Sequence, residues 1–380
     1  CHDEMKKHAI KLMMKFILLA ILTGILAVTS GVQGQVLKNP VAQEMIKSGI
    51  DNIYTLDFES AEKIHLKLES MYPGHPVNLL FRGMMTYWEN YPLLPGSAGR
   101  TSFESDLRTC IQLCEEEEFA PDYEAEITLA NICARGLLLL FYADNDMSMN
   151  VIPLAIGTYK YVRRSFELAS VYSDFYYFTG LYNYYREAYP RIYPVYRALV
   201  APFPRGNEIR GLTELSRAAE SAIFLSAESY FVLSWIYNGY ANDFIKSALY
   251  SKILAGRYPD NLLFRAMHIR NLLLLKRYGE AEEITGKSGN QNGNTFFNGQ
   301  LKVFNGILQE KKYRNYPLAK QLYEDAISEL APIGSYANEY TAYAYFGLSR
   351  ISSMTGDRTG QRVYRKKGND LADFKNVNFD

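Results

Sequence analysis

From Pro40 onward, apolar residues return every three or four positions, in runs separated by short polar breaks. Ile127, Leu129, Ala130, Ile132 and Cys133 make one such run; Leu262, Leu263, Ala266 and Met267, leading into Leu272 to Leu275, make another. That spacing lays an apolar stripe along a 3.6-residue helix, ready to pack on a neighbour. Half-buried strands would alternate with period two between hairpin turns, and no such series occurs. The pattern predicts an all-α chain.

Small residues punctuate the stripes at related phases. Gly49 lies 12 residues before Ala61, Ala61 lies 12 before Pro73, and Gly83 stands 34 after Gly49. Gly136, Gly180, Ser234, Gly306 and Gly347 continue the series, with Ile269 in a degenerate unit, at intervals of 34, 53, 44, 54, 35, 37 and 41. Tyr230-Leu233-Ser234-Tyr237, Tyr343-Phe346-Gly347 and Ala319-Tyr323-Ala326 carry the best matches. A small residue lets paired helices approach closely, and a Pro such as Pro73 or Pro259 ends the second helix where the chain must reverse. This pattern resembles the tetratricopeptide repeat (TPR), and the resemblance implies an α-solenoid of about eight TPR-like helical hairpins. Phe178 to Asn183, Pro190-Arg191-Ile192 and Arg210-Gly211-Leu212 also resemble the tetratricopeptide repeat protein 39 family, which implies the same fold and supplies no catalytic residue.

The beginning of the chain reads differently. From Met5, read as the start, Lys6, Lys7, Lys11 and Lys15 precede an apolar run from Phe16 to Val28, and Val32-Gln33-Gly34 fits a signal-peptidase site. Residues 1–34 are therefore expected to be a signal peptide and 35–380 the helical-repeat domain. The run is short for a membrane span, which needs ~20 residues, and no later stretch reads as one. Export to the bacterial envelope, periplasmic or associated with the outer membrane, is the expected address.

Charge narrows the function classes. The 41 Lys and Arg balance 41 Asp and Glu, which argues against a nucleic-acid partner that needs a basic surplus. With 31 Tyr and 20 Phe beside 5 His and 4 Cys, neither a disulfide scaffold nor histidine or metal chemistry is expected. His65, His75 and His268 are scattered, and no cofactor is expected. Cys110 and Cys114 share a helix face, where buried thiols are expected, with a disulfide to Cys133 as the alternative. Gly286 to Asn294 reads as a connector, since Gly286-Lys287-Ser288 lacks the strand and first Gly of a phosphate loop. Glu115 to Glu118 and the basic run Arg358 to Lys367 read as solvated helix surface.

Nine Tyr lie between Tyr172 and Arg197, with Phe175, Phe178, Arg186, Arg191 and Arg197 among them. Flat, hydroxyl-bearing side chains suit peptide or sugar recognition, and they also suit packing between helices. The TPR resemblance implies that Tyr177, Tyr184, Tyr185, Phe231, Trp235 and Asn238 face the concave groove. Pro190, Pro194, Pro202 and Pro204 mark an irregular excursion, a lid over the groove or a widening of one hairpin. The expected function is a non-enzymatic scaffold that holds another envelope protein or an apolar ligand in a Tyr- and Trp-lined groove. The alternative is an α/α-toroid acting on polysaccharide, with paired carboxylates drawn from Asp174, Glu187 and Glu228.

Overall fold

The computed structural model describes residues 35–116, 121–288, 293–374 and 376–380; the expected signal peptide lies outside them. Sixteen principal helices and no strand occur among the described residues. They follow one another as neighbouring pairs. The first four are α1 (Pro40–Tyr54) with α2 (Phe58–Met71), α3 (Pro76–Glu89) with α4 (Arg100–Glu116), α5 (Glu124–Asp144) with α6 (Ser148–Leu168), and α7 (Phe175–Ile192) with α8 (Glu208–Ser221). The remainder are α9 (Ser226–Trp235) with α10 (Phe244–Arg257), α11 (Leu262–Leu274) with α12 (Tyr278–Ser288), α13 (Thr295–Lys311) with α14 (Tyr316–Leu330), and α15 (Asn338–Met354) with α16 (Arg358–Leu371).

Local chemistry sets the helix ends. Asn39 accepts hydrogen bonds from the Val41 and Ala42 N–H groups, with Pro40 as the first helical residue of α1. Asp57, Asn207, Asp243, Asn261, Asn294, Asn315 and Asp357 cap later helices in the same way. Each satisfies a donor that the first turn leaves unpaired. The turn inside six of the eight pairs has one form: Leu56, Asp146, Asn242, Lys276, Arg314 and Gly356 all have positive φ. The residue after each then donates back into the helix, as Arg277 N does to Leu272 O (2.9 Å) and Asp357 N to Ser352 O (2.9 Å). This closure satisfies the last carbonyls of one helix and aims the chain into the next.

The small positions do different jobs. A Cβ on Gly306 would lie 2.6 Å from the Tyr323 ring, and Gly347 presses on the opposite edge of the same ring. Gly180 meets the backbone of Gly211 and Leu215 where α7 and α8 cross. Gly136, by contrast, has open space where its Cβ would be, so packing does not explain it. The Gly286-Lys287-Ser288 segment closes α12 in helical form and is not part of a connector.

The row of pairs curls back on itself. Tyr258 donates to Asp51 (2.6 Å) and Asn261 to the Tyr54 carbonyl (3.2 Å), which brings the first pair against the fifth and sixth. Tyr91, just after α3, stacks near Phe296 and Tyr336 and accepts from Asn294 (3.1 Å), which brings the second pair against the seventh. The excursion after Pro190 folds onto α6 and α7: Phe203 packs on Tyr159 at 4.6 Å and Tyr182 holds Pro204 O at 2.6 Å. It widens the fourth pair. Helix α5, with 21 residues and a mean hydropathy of 1.4, is long and apolar enough by composition to cross a bilayer, which the sequence reading missed. In the fold, 72% of that apolar window is buried, and the helix carries Glu126 and Arg135 among its buried residues.

Candidate functional site

Tyr177, Tyr184 and Tyr185 of α7 gather with Tyr240 against one hydrophobic core. Tyr184 is only 2% exposed; its ring meets Tyr185 at 5.6 Å and Tyr240 at 6.0 Å. Tyr177, Tyr185 and Phe231 are half-buried and pack against the same core. Asn238 is 1% exposed and bonds Asn271 (3.0 Å), which in turn reaches Ser234 and Ser251. The structure therefore brings Tyr177, Tyr184 and Tyr185 together but places Asn238 in a buried polar network between α9, α10 and α11. The reason is local: α9 opens into a π-helical turn over Ile236–Tyr240, and the wider turn rotates the residues after Trp235.

Glu228 marks where the first, third, fourth and fifth pairs meet. Tyr54 donates to its Oε1, while its buried Oε2 has no hydrogen-bond partner. Burial pushes the Glu228 carboxyl up to about 7, against the pull of the Tyr54 hydrogen bond, and Asp174 adds repulsion. Burial, with Glu228 contributing, also raises the Cys133 thiol and the Tyr177 hydroxyl. Asp174 itself accepts from three backbone N–H groups, Ile223 (3.1 Å), Phe224 (2.8 Å) and Leu225 (2.9 Å). Both of its oxygens hold the turn that leads into α9. Glu187 accepts from Gly206 N at 3.0 Å and so ties down the excursion.

Trp235 opens a second cluster, in which sequence reasoning missed most members. Arg270 of α11 lies over the Trp235 ring, 5.4 Å from its centroid, and 3.3 Å from Glu339 of α15. Arg270 is 1% exposed, yet its Nε and Nη2 have no partner; buried Gln300 of α13 likewise leaves both amide atoms unpaired. An unpaired donor in such a place costs ~1–3 kcal/mol, more when charged. On the other edge of Trp235 sits Phe374, at 5.8 Å, and Tyr240 meets Phe374 at 5.1 Å. Phe374 belongs to the segment after α16, residues 372–380. Its partners Val377 and Phe379 are buried, with Phe379 5.0 Å from Tyr343. The one sequence signal was the apolar spacing Phe374, Val377, Phe379 in an otherwise polar stretch.

The remaining candidates are tied to the fold. His75 caps α3: its Nδ1 accepts from Val77 N (3.1 Å), which leaves Nε2 to donate to Glu126 (2.6 Å), and Glu126 also accepts from Leu37 N (2.6 Å). His65 stacks on Phe81, and His268 faces Ser251 at 3.1 Å with burial lowering its pKa to about 4. Cys110 is buried and Cys133 half-buried, both as unbridged thiols. Glu115 pairs with Arg135 and Lys160, each at 3.0 Å, so part of the acidic run is neutralised. Two shallow hollows, of about 280 and 350 Å³, lie at Tyr91–Phe296 and at Arg350–Asp380, away from the tyrosine cluster. No three His, Cys, Asp or Glu side chains gather as a metal site among the described residues. Neither the family models nor the curated proteins nor the solved structures with which the chain was compared contain a match to it.

Proposed function

We propose that the chain is a non-catalytic binding scaffold, a TPR-like α-solenoid exported to the bacterial envelope, which holds an apolar protein segment on the inner face of its helix array. The observation that carries this reading is the aromatic platform of Trp235, Tyr240 and Tyr343, on which a non-helical stretch of the chain, at Phe374 and Phe379, already rests. The order of the cross-contacts favours a spiral. In a closed ring the first pair would meet the last; here the first meets the fifth and sixth, and the second meets the seventh. Such contacts go beyond the neighbour-only packing of a simple open solenoid, and their offset is that of a row coiled on itself.

The toroidal-enzyme alternative needs two carboxylates free to face a sugar. Asp174 has both oxygens committed to backbone donors and Glu187 holds Gly206, which leaves Glu228 alone. The test is affinity capture from envelope extract, comparing the chain with its Trp235→Ala variant after circular dichroism has shown the same helix content. The expected result is a protein enriched more than about tenfold by the parent and lost with the variant. Equal capture by both removes the inner face from the account, and turnover of a polysaccharide by the parent would favour the enzyme.

A further inference from the structure

We infer that the face around Trp235, Arg270 and Tyr343 is a seat for a short peptide folded into a turn, that residues 372–380 are its built-in occupant, and that an external peptide with the same aromatic–x–x–aliphatic–x–aromatic spacing displaces them. This rests on the scaffold reading above and names its partner by chemistry.

The segment is held as a bound peptide is held. Its described residues form no helix or strand, and Val377 N donates to Phe374 O (3.1 Å), which closes a turn. Phe374, Val377 and Phe379 are buried, at 6%, 0% and 8% exposure, while Asn376 donates to Asn242 and Asn378 accepts from Asp380 N (3.1 Å). Its main chain is gripped by side chains: Tyr193 donates to the Asp373 carbonyl (3.4 Å) and Arg350 to the Asn378 carbonyl. Arg365 and Arg350 flank the Asp380 carboxylate, at 3.2 and 3.6 Å. A main chain held by side-chain donors, with selected side chains buried, is how recognition surfaces hold short peptides. The receiving surface is shaped for it: Gly239, within the π-helical turn, leaves the Phe374 ring the space that any Cβ would occupy.

The occupant fits imperfectly. Arg270, which lies over the Trp235 ring on which Phe374 rests, keeps two nitrogens, Nε and Nη2, unpaired, and a ligand carbonyl or carboxylate beside them would satisfy them. Asp373 enters a region already occupied by the carboxylates of Glu339, Asp146 and Asp144; burial and this repulsion raise it to about 6. An occupant seated at a cost is one that a better-matched peptide replaces.

The experiment uses the chain ended after Leu371, the intact chain, and a fluorescein-labelled synthetic peptide of residues 372–380, with binding read by fluorescence polarisation. The shortened chain is expected to bind the peptide saturably, the intact chain at least about tenfold more weakly, and a peptide with both Phe replaced by Ala not at all. The intact chain carrying Phe374→Ala and Phe379→Ala, which keeps the segment but loosens it, is expected to bind the parent peptide more tightly than the unaltered chain does. A helical shortened chain that ignores the peptide overturns the inference, as does equal binding by shortened and intact chains. Loss of fold in both altered chains also overturns it, since a displaceable occupant cannot be required for folding. These failures would leave capture through Trp235 standing, whereas equal capture by Trp235→Ala, with peptide binding intact, would sink only the envelope-scaffold reading.

Discussion

Gly306→Ala tests whether the repeated small positions are dictated by a neighbour's ring. Alanine is the better helix former by ~1 kcal/mol, so on propensity alone α13 should gain stability. The added Cβ would sit 2.6 and 2.8 Å from two carbons of the Tyr323 ring. Carbon atoms pack at about 3.5–4.0 Å, so the overlap is roughly 1 Å. The ring has nowhere to retreat. Gly347 of α15 lies against its far edge, and its hydroxyl donates to Glu310 at 2.8 Å. Overpacking of this kind costs ~1–3 kcal/mol, and the absence of a relief direction places it at the upper end. The net expectation is a loss of about 2 kcal/mol, read from urea unfolding and localised by faster amide exchange in α13, α14 and α15. Tyr323→Leu, costly in the parent, should cost at least ~1 kcal/mol less beside Gly306→Ala, because the two sites share the contact. A Gly306→Ala chain more stable than the parent, or strict additivity, would refute the reasoning.

Arg350→Ala should destabilise by ~3–5 kcal/mol, since it removes the guanidinium held at 2.7 and 2.8 Å from the wholly buried Glu310 carboxylate and leaves it chiefly the neutral Tyr323 hydroxyl; thermal unfolding at matched pH checks it. Glu228→Gln should change the dependence of stability on pH. The folded carboxyl titrates at about 7 against a usual 4.5, so its contribution is present below about 4.5 and is lost as pH rises through about 7. The Gln variant is therefore expected to gain on the parent by on the order of 1–3 kcal/mol between pH 5 and pH 8, and parallel urea midpoints across that range would contradict the assignment. Asn271→Ala leaves Asn238, Ser234 and Ser251 short of partners and should cost about 3 kcal/mol by chemical denaturation.

Much of the fold was legible because it is written locally. The three-and-four spacing of apolar residues acts within one helix, so an all-α chain could be read directly, and the phased small residues with the TPR resemblance gave about eight pairs. Glycines in phase were visible where a neighbour demands them, as at Gly306 and Gly347, and misleading at Gly136, where none does. The shared turn was invisible: five of its six left-handed positions hold residues other than glycine, Leu56, Lys276 and Arg314 among them, which composition does not flag. Asn238 was placed on the groove because a regular helix would put it there, and one π-helical turn moves it into the core.

The amino-acid order alone determined that stripes of Leu, Phe and Tyr must be covered by adjacent helices, since each stripe repeats faster than any tertiary choice can alter. It did not determine how far the row of pairs curls. That follows from contacts 203 to 207 residues apart, such as Tyr258 with Asp51 and Asn294 with Tyr91, whose partners are set by the summed geometry of every intervening pair. The covering of Trp235 was decided in the same way. Whether Trp235 faces solvent, a ligand or Phe374 depends on where α16 releases the chain, and only the assembled helices fix that point.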